Sequence, residues 1–213
     1  MARLRKAVRT VLENRGILVP MKDNEHRRFT IAEYVELESF SNVKHEYIDG
    51  LIVAMSGGTI RHARLAASII FALESQLGDR PCAVYTSDGR IRIEAPNVIT
   101  YPGISVGCGS VEVDIEDHCA QMNPTVLVEI TSPSSEGYDR GKKFGFYRAI
   151  PSLREYVIVD QAEPSIEVFR RGEDGTWSLA QHGKAGERVQ LLSIGCALDI
   201  DAIYRNRRPV SSN

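Results

Sequence analysis

Thr125-Val126-Leu127-Val128-Glu129-Ile130, a loop at Ser132-Pro133-Ser134-Ser135, a helical stretch from about Tyr138 to Ala149, and Tyr156-Val157-Ile158-Val159-Asp160 decide the fold. Both apolar runs are nearly continuous and rich in β-branched residues, the pattern of strands covered on both faces. Pro151 stops the intervening helix, because proline removes a backbone donor and clashes with the preceding turn. Strand, helix, strand in this order predicts a crossover between parallel neighbours, which is right-handed. The fold class that follows is α/β, a mixed β-sheet flanked by helices.

Upstream, Thr30-Ile31-Ala32-Glu33 has the form of a capping box and predicts a short helix to about Glu38. Asp49-Gly50, between the runs from His45 and to Met55, predicts a two-residue hairpin. Leu65, Ile69, Leu73 and Leu77 recur every four residues and predict a helix from Arg61 to Leu77, stopped by Gly78. From Cys82 to about Val113 the chain reads as several strands, with Arg90 to Glu94 alternating between a charged and an apolar face. Downstream, Ser165–Arg170, Thr176–Gln181 and Arg188–Leu192 predict an antiparallel C-terminal extension, and Asp199–Tyr204 a last helical turn. Residues 1–28 hold eight Lys or Arg against three acids and read as a basic extension; 29–205 is the domain and 206–213 a tail.

The chain has 213 residues, is 43% hydrophobic, and carries a formal net charge of -2. That balance excludes a coiled coil, a collagen-like chain and a globally basic nucleic-acid binder, so phosphate recognition has to come from a local patch. The uncharged stretch from Ala95 to Val111 is broken by prolines and glycines, so no membrane span is expected and the location expected is cytoplasmic. Cys82, Cys108, Cys119 and Cys196 form no zinc-binding pattern, and four free thiols is the simplest reading. His118 and Cys119 are adjacent but read as unrelated surface or core residues.

Chemistry gathers at Glu129, an acid inside an apolar strand, which is costly unless paired, hydrogen-bonded or bound to a metal. Its bland reading is a strand-end acid that caps the loop at Ser132. Ligands, however, collect beyond the carboxyl ends of strands in open sheets. Asp139-Arg140-Gly141-Lys142-Lys143 opens the following helix, so one of the two lysines can approach Glu129. Arg140, Lys143 and Tyr147 are expected to share a face, although most charge runs are solvated. An acid and a lysine converging on a phosphate suit phosphodiester hydrolysis. Glu46 lies in a strand before Asp-Gly. Arg61, His62 and Arg64, with Arg90 and Arg92, are candidates for a basic patch.

The segments HEYIDGLIVAMSGG, RHARLAASI, TYPGISVGCG, PTVLVEITSPS, YDRGKKFGFYRAIPSLREYVIVDQ and IEVFRRGEDGTW together resemble the Uma-two-like restriction-endonuclease family of the PD-(D/E)XK nuclease superfamily. The resemblance covers about Phe29 to Tyr204. It implies a restriction-endonuclease-like core, DNA as partner, magnesium as cofactor and, as for many such enzymes, a homodimer. Carried over by position, Glu129 matches the metal-binding acid, Lys143 the catalytic lysine and Glu46 an additional acid. Thr131 stands where the superfamily usually has its lysine. Arg61, His62, Arg64, Arg140 and Lys142 are then the expected nucleic-acid contacts. Relatives read Tyr-Pro-Asp where this chain has Tyr101-Pro102-Gly103, so one of the two main metal-binding carboxylates is missing. Asp88, Glu94 and Glu46 are the candidates to replace it. Three functions follow, the first two being a divalent-metal-dependent DNA endonuclease and a degenerate relative that binds nucleic acid or a protein partner without cutting. A hydrolase of another substrate on the same scaffold is the third.

Overall fold

The structure, a computed structural model, describes residues 27–133 and 135–205. The proposed extension therefore lies outside the described residues except for Arg27 and Arg28, and the 206–213 tail lies wholly outside them. A first helix, α1 (Ile31–Phe40), starts at the predicted capping box: the Thr30 hydroxyl accepts from the Glu33 N–H and the Glu33 carboxylate accepts from the Thr30 N–H. Strands β1 (His45–Ile48) and β2 (Leu51–Ala54) pair antiparallel across Asp49-Gly50. Both turn residues have positive φ, 46° and 85°, which is what a two-residue hairpin matching the strand twist demands.

Helix α2 (Ile60–Leu77) follows, then β3 (Cys82–Thr86), β4 (Arg90–Ile93), β5 (Val98–Thr100), β6 (Ile104–Cys108), β7 (Ala120–Gln121) and β8 (Val126–Thr131). The next helical run has three parts: α3 (Glu136–Tyr138), a π-helical segment (Asp139–Lys143) and α4 (Phe144–Tyr147). The remainder is β9 (Glu155–Asp160), β10 (Ile166–Arg171), β11 (Trp177–His182), β12 (Arg188–Leu191), β13 (Cys196–Asp199) and α5 (Ile200–Tyr204).

The expected mixed sheet is present, with six strands in the order β11-β10-β9-β8-β6-β3. Its one parallel pair is β8–β9, joined by the helical run as the sequence predicted. A second sheet, β2-β1-β5-β4-β7, was not separated from the first by the sequence pattern. Of the C-terminal strands, β10 and β11 extend the main sheet antiparallel, while β12 and β13 pair as their own ribbon.

Two-residue periodicity divides β8 between two cores. Val126, Val128 and Ile130 pack with Leu65, Ile69, Leu73 and Leu77 of α2. Leu127 faces the other way, onto Tyr147, Ile150, Tyr156 and the second-sheet residues Ile91, Ile93 and Val98. Glu129 shares the Leu127 side, so the strand aims its one acid between the second sheet and the helical run.

Three expectations are corrected. Cys82 and Cys108 are directly opposite in the β3–β6 pair and form a disulfide, leaving only Cys119 and Cys196 as free thiols. Spacing along the chain cannot reveal which strands will pair. The helix expected from Tyr138 to Ala149 instead contains the π segment. Arg90 and Arg92 do not form an exposed patch: each is largely buried against an acid, Asp117 at 3.1 Å and Asp114 at 3.5 Å respectively. Both faces of β4 are covered, so its alternation marks two interiors rather than a wet and a dry side. No described helix is long and apolar enough to cross a membrane.

Candidate active site

Four chain segments bring polar groups to one buried point. Strand β8 supplies Glu129, β1 supplies Glu46, the π segment supplies Lys143, and the Tyr101-Pro102-Gly103 turn supplies backbone atoms. Lys143 Nζ lies 2.8 Å from Glu129 Oε1 and 3.4 Å from Glu46 Oε1. It also donates to the Tyr101 carbonyl at 3.2 Å. Glu129 accepts from the Tyr147 hydroxyl at 2.8 Å and from the Gly103 N–H at 3.2 Å. Glu46 accepts from the Thr100 hydroxyl and, at 2.8 Å, from the Tyr138 hydroxyl. Glu46, Glu129 and Lys143 are 5%, 7% and 3% exposed, so water does little of this solvation.

The electrostatics follow from that burial. Desolvation pushes the Glu129 carboxyl up from its ordinary value, while Lys143 pulls it back. Desolvation also opposes the charge on Lys143, but Glu129 and Glu46 outweigh it and hold the ammonium above its ordinary range. The Tyr147 and Tyr138 phenols are pushed up, first by burial and then by the adjacent carboxylates, so both remain hydrogen-bond donors at neutral pH.

Asp139, also buried, forms a flank of the same site. It accepts from the Thr131 hydroxyl at 3.0 Å, which ties strand to helix. The π segment explains why Arg140 leaves the face expected for it. With a wider turn than an α-helix, the segment buries Asp139 and Lys143, four residues apart, on the site side. Lys143 and Tyr147 converge on Glu129, whereas Arg140 turns to Glu167, at 2.8 and 2.9 Å, and to Glu136.

Of the remaining expected contacts, Arg61 and Arg64 are exposed on the first turns of α2, and Lys142 is exposed with its ammonium 5.7 Å from the Phe146 ring centre. His62 is half-buried beside Asp139. Of the candidate substitutes for the missing acid, Asp88 is an exposed partner of Lys44, Glu94 is exposed, and only Glu46 reaches Lys143. Sequence reasoning missed Tyr138, Thr100 and the Tyr101 carbonyl. Tyr147 carried a usable signal, standing four residues after Lys143 on a helix. Tyr138 carried none, because its partner Glu46 comes from a strand of the second sheet, far away in the chain.

Burial holds His62 below its ordinary value of 6.5, against an upward pull from Asp139. A histidine held neutral by folding contributes full stability above the unfolded value and loses it as pH falls through the depressed folded value. Stability is therefore expected to decline below about pH 6.5 by a component that His62→Gln removes, as measured by urea unfolding across pH.

The residues present do not fit a divalent ion as arranged. Magnesium takes an octahedral oxygen shell, usually one or two carboxylates with waters. Here the Lys143 ammonium already sits among Glu129, Glu46 and the Tyr101 carbonyl, and both carboxylates accept further internal donors. Among the described residues no group of three His, Cys, Asp or Glu side chains could hold a metal ion. Gly103 lies against the centre of β8: a Cβ there would stand 3.0 Å from the Val128 carbonyl and 3.8 Å from the Glu129 Cα. A side chain at this position would start beside Glu129, and glycine provides none.

Comparison with known proteins places these features. The family model described as "Uma2: Putative restriction endonuclease" matches residues 31–201. The uncharacterized protein slr1290 of Synechocystis is 34% identical over 176 residues, covering 81% of this chain and 90% of its own length. A second Synechocystis protein, the uncharacterized sll1609, is 33% identical over 152 residues, covering 71% and 86%. A crystal structure described as a putative nuclease belonging to DUF820, from Anabaena variabilis, aligns with a TM-score of 0.68 at 17% identity, covering 83% of this chain and 98% of that one. That structural likeness is one of fold.

Proposed function

Since the chain belongs to the Uma2 restriction-endonuclease family, we propose that it acts on DNA as a nuclease-fold binding protein whose hydrolytic centre is shut. The observation that carries this reading is the Lys143 ammonium, which fills the oxygen shell formed by Glu129, Glu46 and the Tyr101 carbonyl. With Gly103 in place of the usual acid, the centre lacks the carboxylate that would draw a divalent ion in against that internal cation. Arg61, Arg64 and Lys142 are exposed and offer phosphate contacts. The start of α2 is tied to the end of β8: the Thr59 hydroxyl donates to Gln161 at 2.8 Å, and the Gln161 N–H donates to the Thr131 carbonyl at 3.1 Å. A homodimer remains part of the family-based expectation, since symmetric dimers match the two strands of a duplex.

The test compares the natural protein, Gly103→Asp and Glu129→Ala on plasmid and single-stranded DNA with magnesium or manganese. The expected result is salt-dependent binding by the natural protein, weakened when Arg61 and Arg64 are neutralised, with no Glu129-dependent cleavage. Cleavage that Glu129→Ala abolishes would overturn the shut centre. Absence of binding at low salt would overturn the nucleic-acid reading itself.

A further inference from the structure

A second charged cluster lies at the opposite end of β9 from the acid–lysine centre. Val126 pairs with Glu155 at the start of the β8–β9 ladder, whereas Glu129 pairs with Ile158 three residues on, about 10 Å along the strands. At that end an open pocket of about 380 Å³ is lined by Arg154, Glu155, Arg170, Arg171, Leu192 and Ser193. Its one acid is already used. Glu155 is fully buried and accepts from Arg170 Nε at 2.9 Å, from the Leu192 and Ser193 N–H groups at 3.1 and 3.0 Å, and from the Ser193 hydroxyl.

The other arginines are held differently. Arg171 donates to the carbonyls of Arg148, Ile150, Pro151 and Leu153, which fixes its guanidinium across the end of α4, yet its buried Nε has no partner. Among the described residues no carboxylate forms an ion pair with Arg148, Arg154 or Arg171, and Arg154 is exposed. Burial first, and then the neighbouring positive charges of Arg154 and Arg148, lower the Arg171 pKa.

We propose that this pocket is a phosphate-binding site, in which Arg154 engages the oxygens of a phosphate group, while Arg170, held by Glu155 and by the Gln190 carbonyl at 2.9 Å, and Arg171 supply fixed positive charge. Guanidinium forks match tetrahedral oxyanions, and an anion here relieves the mutual repulsion of the arginines. The same chemistry is offered by the backbone of a nucleic acid and by free phosphate. The backbone is the source that follows if the DNA-binding reading above holds, since the pocket would then add a contact about 10 Å along the strands from Glu129.

The experiment titrates the full chain with inorganic phosphate, with chloride as control, by calorimetry, and separately with short duplex DNA across a salt series. It compares the natural protein, Arg154→Gln, Arg154→Glu and, for the α2 contact, Arg64→Gln. Arg154 makes no side-chain hydrogen bond, so its variants are expected to fold, as circular dichroism checks. The expected result is phosphate binding that Arg154→Gln weakens and Arg154→Glu abolishes, and a DNA salt slope lowered by about 1 in Arg154→Gln. Phosphate binding without any DNA binding would support the site with free phosphate as its source, and would count against the DNA reading alone. No phosphate binding by the natural protein, or binding unchanged in Arg154→Glu, would overturn the site. DNA affinity lost in Arg64→Gln but untouched in either Arg154 variant would leave the DNA reading standing and overturn the backbone as the source.

Discussion

Lys143→Ala is expected to destabilise the protein by about 3–5 kcal/mol, because it leaves carboxylates buried without their cation. Glu129 and Glu46 are each less than a tenth exposed and both lie within ion-pair distance of Lys143 Nζ. Removing the ammonium leaves two acids in a poorly hydrated space, and they must take up a proton or recruit water. Urea unfolding of natural protein and variant measures the loss. The double variant Lys143→Met, Glu129→Gln should recover part of it, since it removes charge from both sides of the pair. A loss below about 1 kcal/mol for Lys143→Ala would mean that the cluster is solvated in solution, and the centre would then be open to a cation after all.

Deleting Gly141 is expected to be comparably damaging, at about 3–5 kcal/mol, the cost of losing a large buried side chain from a core. Gly141 is an inner residue of the π segment, and nothing crowds the position where its Cβ would be. Removing one residue converts the wide turn towards an ordinary α-helical one and rotates everything beyond it by about 100° relative to the residues before it. Tyr147, fully buried and bonded to Glu129, is then carried out of its place beside Tyr156 and Leu127. Gly141→Ala is the control: it keeps the residue count, meets no neighbour, and is expected to change stability by less than about 1 kcal/mol. Thermal or urea unfolding of both variants separates loss of register from loss of glycine. Deletion with little effect would show that the π segment is not what aims Lys143 and Tyr147.

The same two segments show where sequence reasoning reaches and where it ends. The parallel pairing of β8 and β9 was legible because two apolar β-branched runs with a helix between them have few other solutions. The suspicion attached to Glu129 was equally legible, since an acid among five apolar or β-branched neighbours has to be paired. Glu46 and Lys143 were identified through the family resemblance, but their convergence was not. Glu46 arrives from a different sheet, and its distance from Lys143 depends on how that sheet packs over β8. The π segment was invisible because its hydrogen-bond pattern is chosen by what each turn must bury, not by a local residue preference.

The pairing of Cys82 with Cys108 and the burial of Arg90 and Arg92 have the same origin. Strand register and the second sheet decide them, and both are set by contacts between residues far apart in the chain. Alternation along β4 predicted two faces correctly, yet whether the charged face meets water or another layer is a property of the assembled layers.

Local pattern alone thus determined the α/β class, the helix starts and hairpin turn, and the acid of β8, because caps, turns and two-residue alternation act within a few residues. Only the tertiary structure decided that Lys143 is shared between Glu129 and Glu46, that Arg140 is taken by Glu167, and that Arg154, Arg170 and Arg171 meet in one pocket. Ion pairing and desolvation depend on distances across the core, and packing of separate segments is what sets those distances.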